Sequence, residues 1–110
     1  MTTSKKKKAS TTMPSSTKKE QVQITVQGRV HGVYYRSFVQ DTAKKLGVIG
    51  TARNAYEKGS VVEIIAQGTH ENLEKLIREC WRGSPSARVD YITAKYKPAT
   101  KKFKAFEIQD

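Results

Sequence analysis

The sequence predicts an α+β domain in which two helices cover one face of a single sheet. Three observations lead there. Apolar residues alternate at Val22, Ile24 and Val26 and again at Val62, Ile64 and Ala66, the pattern of strands with one buried face. Between and after them lie two stripes at helical spacing, Val39, Ala43 and Leu46, then Leu73, Leu76, Ile77 and Cys80. Glycine-bearing segments punctuate every change of period.

The first strand ends at Gly28, and Gly32 keeps the following residues loose. The first helix is predicted around residues 36 to 46, with Phe38 beside its apolar stripe. Lys44 and Lys45 suit its negative end, and Gly47 is a natural residue to follow it. Val48 to Asn54 reads as a second strand, and Glu57-Lys58-Gly59-Ser60 turns it into the third, so the two should form a hairpin. Thr69 is placed to cap the second helix, which Gly83, Ser84 and Pro85 stop. Val89, Tyr91 and Ile92 suggest a fourth strand with imperfect alternation, and Phe106 with Ile108 a short last one; Lys97 to Lys102, containing Pro98, reads as a basic turn between them. The order βαββαβ plus a short terminal strand fits the split βαβ, or ferredoxin-like, sandwich on a mixed or antiparallel sheet. Right-handed crossovers put both helices on one face.

The chain of 110 residues suits one domain, and its first stretch lies outside that domain. Residues 1–20 contain almost no apolar side chain and no periodicity, so a disordered Lys-rich tail is expected there and a folded unit over 21–110. The formal net charge is +11. The tail carries six Lys against one Glu, and the remainder 15 Lys and Arg against nine Asp and Glu, so almost half of the excess sits on the tail. Such a field attracts anions without choosing among them, which predicts weak nonspecific polyanion binding through the tail. Lys5 to Lys8 read equally as a nuclear-import patch or a solubilising face. No stretch has the length of a membrane span and the polar N-terminal stretch lacks a signal peptide's apolar segment, so cytoplasmic, or also nuclear, residence is the expectation. The single Cys80 excludes an intrachain disulfide, and no cofactor or metal ligand set is evident.

The most informative segment is Gly28-Arg29-Val30-His31-Gly32-Val33-Tyr34-Tyr35-Arg36. It joins a strand to a helix start, where backbone N–H groups lack helical acceptors and can form a nest for an oxyanion. Arg36 at the helix entrance can grip phosphate oxygens with a planar fork. The segment is neither a Walker loop nor a dinucleotide fingerprint. On spacing alone, an anion site and an ordinary glycine-containing connection both remain open.

The same segment resembles the acylphosphatase loop G-R-V-x-G-V-x-F/Y-R at every position. Two further segments resemble that family: Arg53-Asn54 followed by Gly59-Ser60, and Gly83-Ser84-Pro85-Ser86-Ala87-Arg88-Val89-Asp90. The resemblance covers residues 22 to 110. It implies hydrolysis of acyl phosphates, such as 1,3-bisphosphoglycerate or carbamoyl phosphate, to a carboxylate and inorganic phosphate, without metal or cofactor. A monomer is expected. The resemblance further implies phosphate binding by the Gly28–Arg36 segment, through the backbone of Arg29, Val30, His31, Gly32, Val33, Tyr34 and Tyr35 and the guanidinium of Arg36, with Asn54 positioning the water. Two departures stand out: His31 where Gln is common, which sets a titratable ring beside the loop, and Thr51-Ala52 where a bulkier apolar residue is common.

Other residues have plainer readings. His70 near a helix start reads as a surface residue and Cys80 as core filling. Trp81, Tyr91, Tyr96, Phe103 and Phe106 offer stacking platforms for bases, although aromatic residues on a half-exposed sheet usually just pack. With Lys95, Lys97, Lys101, Lys102 and Lys104 close by, a nucleic-acid-binding module is the competing function, and a catalytically idle interaction domain a third.

Overall fold

A computed structural model describes residues 19–109. The expected 1–20 tail therefore lies almost wholly outside the described residues, as does Asp110. The elements are β1 (Glu20–Arg29), α1 (Tyr35–Lys45), β2 (Ile49–Asn54), a 3-10 turn (Tyr56–Lys58), β3 (Val61–Gly68), α2 (His70–Arg82), β4 (Arg88–Pro98) and β5 (Phe106–Gln109). This is the βαββαβ order with a short fifth strand. The sheet runs β4-β1-β3-β2-β5 and is mixed: β1 is antiparallel to β3 and β4, β2 is antiparallel to β3, and β5 joins β2 in parallel.

The register explains the core. Ile24 pairs with Ile64 and Val26 with Val62, so their side chains share the face that α1 and α2 cover. Val39 and Ala43 from α1 and Leu73, Leu76 and Cys80 from α2 are fully buried against them, with Leu46 and Ile77 partly buried at the margin. The opposite face is polar where Gln67 Nε2 donates to Gln21 Oε1 at 2.9 Å and to the Lys101 carbonyl at 2.6 Å. Thr69 caps α2 as expected, its Oγ1 accepting from the Asn72 N–H at 3.3 Å.

The predicted basic turn over Lys97 to Lys102 is corrected at its start. Lys97 and Pro98 complete β4, because β1 extends far enough to pair with them, Gln21 with Lys97 and Glu20 with Pro98. Pro98 is tolerated there because β4 is an edge strand and Pro98 its last residue. At that same end Glu20 Oε1 lies 2.8 Å from His70 Nδ1. This hydrogen bond raises the His70 pKa, so its contribution to stability is present while the ring is protonated and is lost as pH rises through the folded-state pKa. Among the described residues, no helix is long and apolar enough to cross a membrane.

At Gly28 the main chain of β4 packs tightly against β1. The Gly28 φ is 150°, and a Cβ there would lie 2.2 Å from the Arg88 carbonyl oxygen and 2.8 Å from the Asp90 nitrogen. Both obstacles are main chain, so nothing can rotate aside. Gly28→Ala is therefore expected to cost roughly 1–3 kcal/mol of strain, read as a clear fall in Tm; an unchanged melting curve would contradict this packing.

Candidate active site

β1 and β2 are both antiparallel to β3, so their C-terminal ends emerge on the same side of the sheet. Gln27 pairs with Val61 and Asn54 with Val62, which places the loop after β1 and the end of β2 around the first residues of β3. The topology thus converges two segments that are distant in sequence.

The loop arrives at α1 with two residues in the left-handed region, Gly32 at φ 70° and Tyr34 at φ 59°. From His31 to Tyr35 no backbone N–H donates to a backbone acceptor among the described residues. The first turn of α1 has no acidic residue, and no side chain caps it. Unbonded amides and the positive end of the helix dipole therefore face the same space. A cavity of about 320 Å³ opens there. Val30, Gly32, Tyr34 and Tyr35 line it from the loop, Arg36 and Ser37 from α1, Asn54 from β2 and Ile108 from β5. The guanidinium of Arg36 is anchored by Nη1 donating to the Gln109 carbonyl at 2.7 Å. Asp110, whose terminal carboxylate the family resemblance would set near Arg36, lies outside the described residues.

The side chains of the remaining loop residues do not line that cavity. Val33 is buried in the core. Gly28 and Arg29 border another hollow, with Ser60, Arg88 and Asp90. The His31 ring turns toward the hairpin, where Nε2 donates to the Val61 carbonyl at 2.7 Å. Structural support for the loop comes from α2 and the segment that follows it. Ser84 Oγ donates to the Val33 carbonyl at 2.8 Å, and the buried Tyr35 hydroxyl donates to the Cys80 carbonyl at 2.7 Å. Burial pushes the Tyr35 pKa up and that of Cys80 to about 12, so both are neutral props and the thiol is no nucleophile.

Asn54 ends β2 with its amide divided between two environments. Nδ2 donates to the Tyr56 hydroxyl at 2.9 Å. Oδ1 is buried and has no hydrogen-bond partner among the described residues, an arrangement that costs about 1–3 kcal/mol unless a donor reaches it. Arg53 is occupied elsewhere, with Nη2 on Glu57 at 2.6 Å and on Glu63 at 2.7 Å. Lys58 also pairs with Glu63, and Lys58 foremost, with Arg53, holds that carboxyl below its usual range. These ion pairs brace the hairpin beside the site. Ser84 falls within a motif that was legible in the sequence, although its contact with Val33 was not; Tyr56 and Ile108 belong to no motif, and only the folded register brings them here.

The acylphosphatase family model matches residues 22–108. The chain belongs to the acylphosphatase family. It is 40% identical to the acylphosphatase of Pelotomaculum thermopropionicum over 77% of its own length and 90% of that protein's. With the acylphosphatase of Shewanella amazonensis the identity is 41%, over 79% of this chain and 93% of the relative. The crystal structure of acylphosphatase from Bacillus subtilis superimposes with a TM-score of 0.78 at 32% identity, covering 83% of this chain and 99% of that one. The ferredoxin-like sandwich described above is thus the acylphosphatase architecture, and the Gly28–Arg36 loop and Asn54 both lie within the matched region.

Proposed function

We infer that the cavity between the Gly28–Arg36 loop and Asn54 is the catalytic site. As a member of the acylphosphatase family, the chain is a hydrolase that splits acyl phosphates into a carboxylate and inorganic phosphate. The observation that carries the site assignment is the meeting, on one cavity, of unbonded loop amides, the Arg36 guanidinium and an Asn54 amide whose oxygen has no partner.

The chemistry follows from these groups. The loop N–H groups and the helix dipole receive the phosphoryl oxygens, and Arg36 adds a full positive charge fixed at the rim through its bond to Gln109. Asn54 Oδ1 accepts a hydrogen from a water and aims its oxygen at phosphorus. As that P–O bond forms, the bond to the acyl oxygen breaks and its electron pair leaves with the carboxylate. The water's proton passes to a phosphate oxygen, because a neutral amide orients water and does not act as its base. A carboxylate is a good leaving group, so orientation and charge stabilisation supply most of the rate.

The test is release of inorganic phosphate from an acyl phosphate by the full chain in EDTA. Undiminished release is expected, since the chain's own cations meet the phosphoryl charge; no release, with or without chelator, would overturn the reading. The working unit in this reading is a monomer. Cytoplasmic residence, or nuclear residence through Lys5 to Lys8, is part of the same reading.

The Lys-rich tail is assigned a separate task, weak polyanion binding outside the catalytic domain. What supports this is the pairing of Glu20 with Pro98, since the tail leaves the domain at the end that carries Lys97. Deleting residues 1–18, which spares the Glu20–His70 contact, is expected to leave kcat and Tm nearly unchanged. Polyanion affinity should fall at low salt and change less at high salt. A titration that finds equal low-salt affinity with and without the tail would contradict this assignment.

A further inference from the structure

A loop that binds an anion through its amides works only if its peptide planes face the right way, and one plane of the Gly28–Arg36 loop is gripped from outside. In a trans peptide the carbonyl and the N–H that follows it point in opposite directions. The Val33 carbonyl accepts from Ser84 Oγ at 2.8 Å, and both residues are buried. A carbonyl has no proton to give, so the hydroxyl is the donor and the sense of the bond is fixed. The Tyr34 N–H on the same plane is thereby directed away from Ser84, and it has no backbone acceptor among the described residues. Tyr34 lines the cavity, whereas Val33 and Ser84 do not.

This orientation is not the one Tyr34 prefers. With φ 59° and ψ 26° it is left-handed, the one non-glycine residue with positive φ among the described residues. Turning the Val33–Tyr34 plane through half a revolution would take the Tyr34 φ to about −120°, in the broad β region where an aromatic residue is unstrained. Such a flip would aim the Val33 carbonyl toward the cavity and withdraw the Tyr34 N–H from it. As the loop stands, left-handed Tyr34 is followed by Tyr35, the first residue of α1. A left-handed residue next to a right-handed one brings successive N–H groups into a single concavity, the geometry of an anion nest. The bond from Ser84 therefore opposes a relaxation that would dismantle the nest.

Ser84 is fixed for this task by its own backbone. Gly83, at φ 73°, ends α2, and the Ala87 N–H donates to the Ser84 carbonyl at 3.0 Å. That bond closes a turn whose second residue is Pro85, with its φ locked by the ring. We propose that Ser84 is a positioning residue for phosphate binding: by donating to the Val33 carbonyl it holds the Val33–Tyr34 peptide in the strained orientation that turns the Tyr34 N–H toward phosphate. The proposal rests on the Gly28–Arg36 loop as the phosphate site. It gives the connection after α2, which does not reach the cavity, a part in shaping it.

The experiment titrates inorganic phosphate into the full chain and its Ser84→Ala and Ser84→Thr variants, reading affinity, backbone amide NMR shifts and Tm. In the unaltered chain the Tyr34 amide is expected to respond to phosphate along with its loop neighbours. Ser84→Ala should bind phosphate roughly five- to tenfold more weakly, about the worth of one neutral hydrogen bond, with a diminished Tyr34 response even at saturation. Ser84→Thr keeps the donor, so affinity and the Tyr34 response should persist even as its added methyl lowers Tm in a buried site. Unaltered affinity and Tyr34 response in Ser84→Ala would overturn the proposal, by showing that Ser84 only packs. Equal loss of affinity in the Ala and Thr variants would also overturn it, since the loss would then follow disturbed packing and not the hydroxyl. Phosphate shifts in the unaltered chain that fall outside the loop would remove the phosphate site itself, and the role of Ser84 with it.

Discussion

Arg36→Ala is expected to lose most hydrolysis while the domain stays folded. The side chain sits at the open end of α1, where its exposed bond to the Gln109 carbonyl contributes about 1 kcal/mol to the fold. The cost to the reaction is larger. The transferring phosphoryl group gains charge on its equatorial oxygens, and a preorganised guanidinium in a partly enclosed site stabilises that charge without having to reorganise. Loss of such a group lowers kcat/KM by on the order of 10²–10³. Arg36→Lys should recover little, because an ammonium is a point donor on a flexible stem and cannot reproduce a fork held in plane by Gln109. Steady-state kinetics with an acyl phosphate, alongside thermal melts of both variants, measures this. Near-native kcat/KM in folded Arg36→Ala protein would remove Arg36 from the site.

Asn54→Ala is expected to produce a loss of a different kind. In the proposed mechanism the amide contacts the water and not the bulk of the phosphate, so the barrier should rise by about 3 kcal/mol and kcat fall on the order of a hundredfold, with phosphate affinity retained. The protein itself forgoes one exposed hydrogen bond to Tyr56 and is relieved of a buried unpaired oxygen, so stability should change little. Asn54→Asp should be more damaging than its size suggests, because a carboxylate opposes the substrate's negative charge. A fall in Tm and phosphate affinity together with rate would show instead that Asn54 only shapes the strand end.

Both proposed site residues were already candidates in the sequence, for different reasons. Arg36 is marked by its fixed distance from two glycines in a strand-to-helix loop, a purely local signal. Asn54 is marked by its motif, but its approach to Arg36 depends on β1 and β2 sharing β3 as a neighbour, which only the pairing register reveals. The buried strands and both helices were readable because one-sided burial writes a period into the sequence. The far end of β4 was not, because from Asp90 to Pro98 only Ile92 is even partly buried and there is little alternation to read. The parallel joining of β5 to β2 was equally hidden, since four residues carry no partner preference. His31 illustrates a finer limit. Its type suggested a titratable ring beside the phosphate loop, whereas its nearest partners are the Val61 carbonyl and Tyr56, set by a hairpin thirty residues away.

The central claim is a division of labour, in which the loop and Arg36 bind phosphate and Asn54 places the water. Calorimetric titration of inorganic phosphate into Arg36→Ala and Asn54→Ala, compared with the unaltered chain, tests it most directly. The account predicts that affinity collapses in Arg36→Ala and stays within about twofold of the unaltered chain in Asn54→Ala, whose turnover is nevertheless on the order of a hundredfold slower. Equal loss of phosphate affinity in the two variants, or retained affinity in Arg36→Ala, would contradict it.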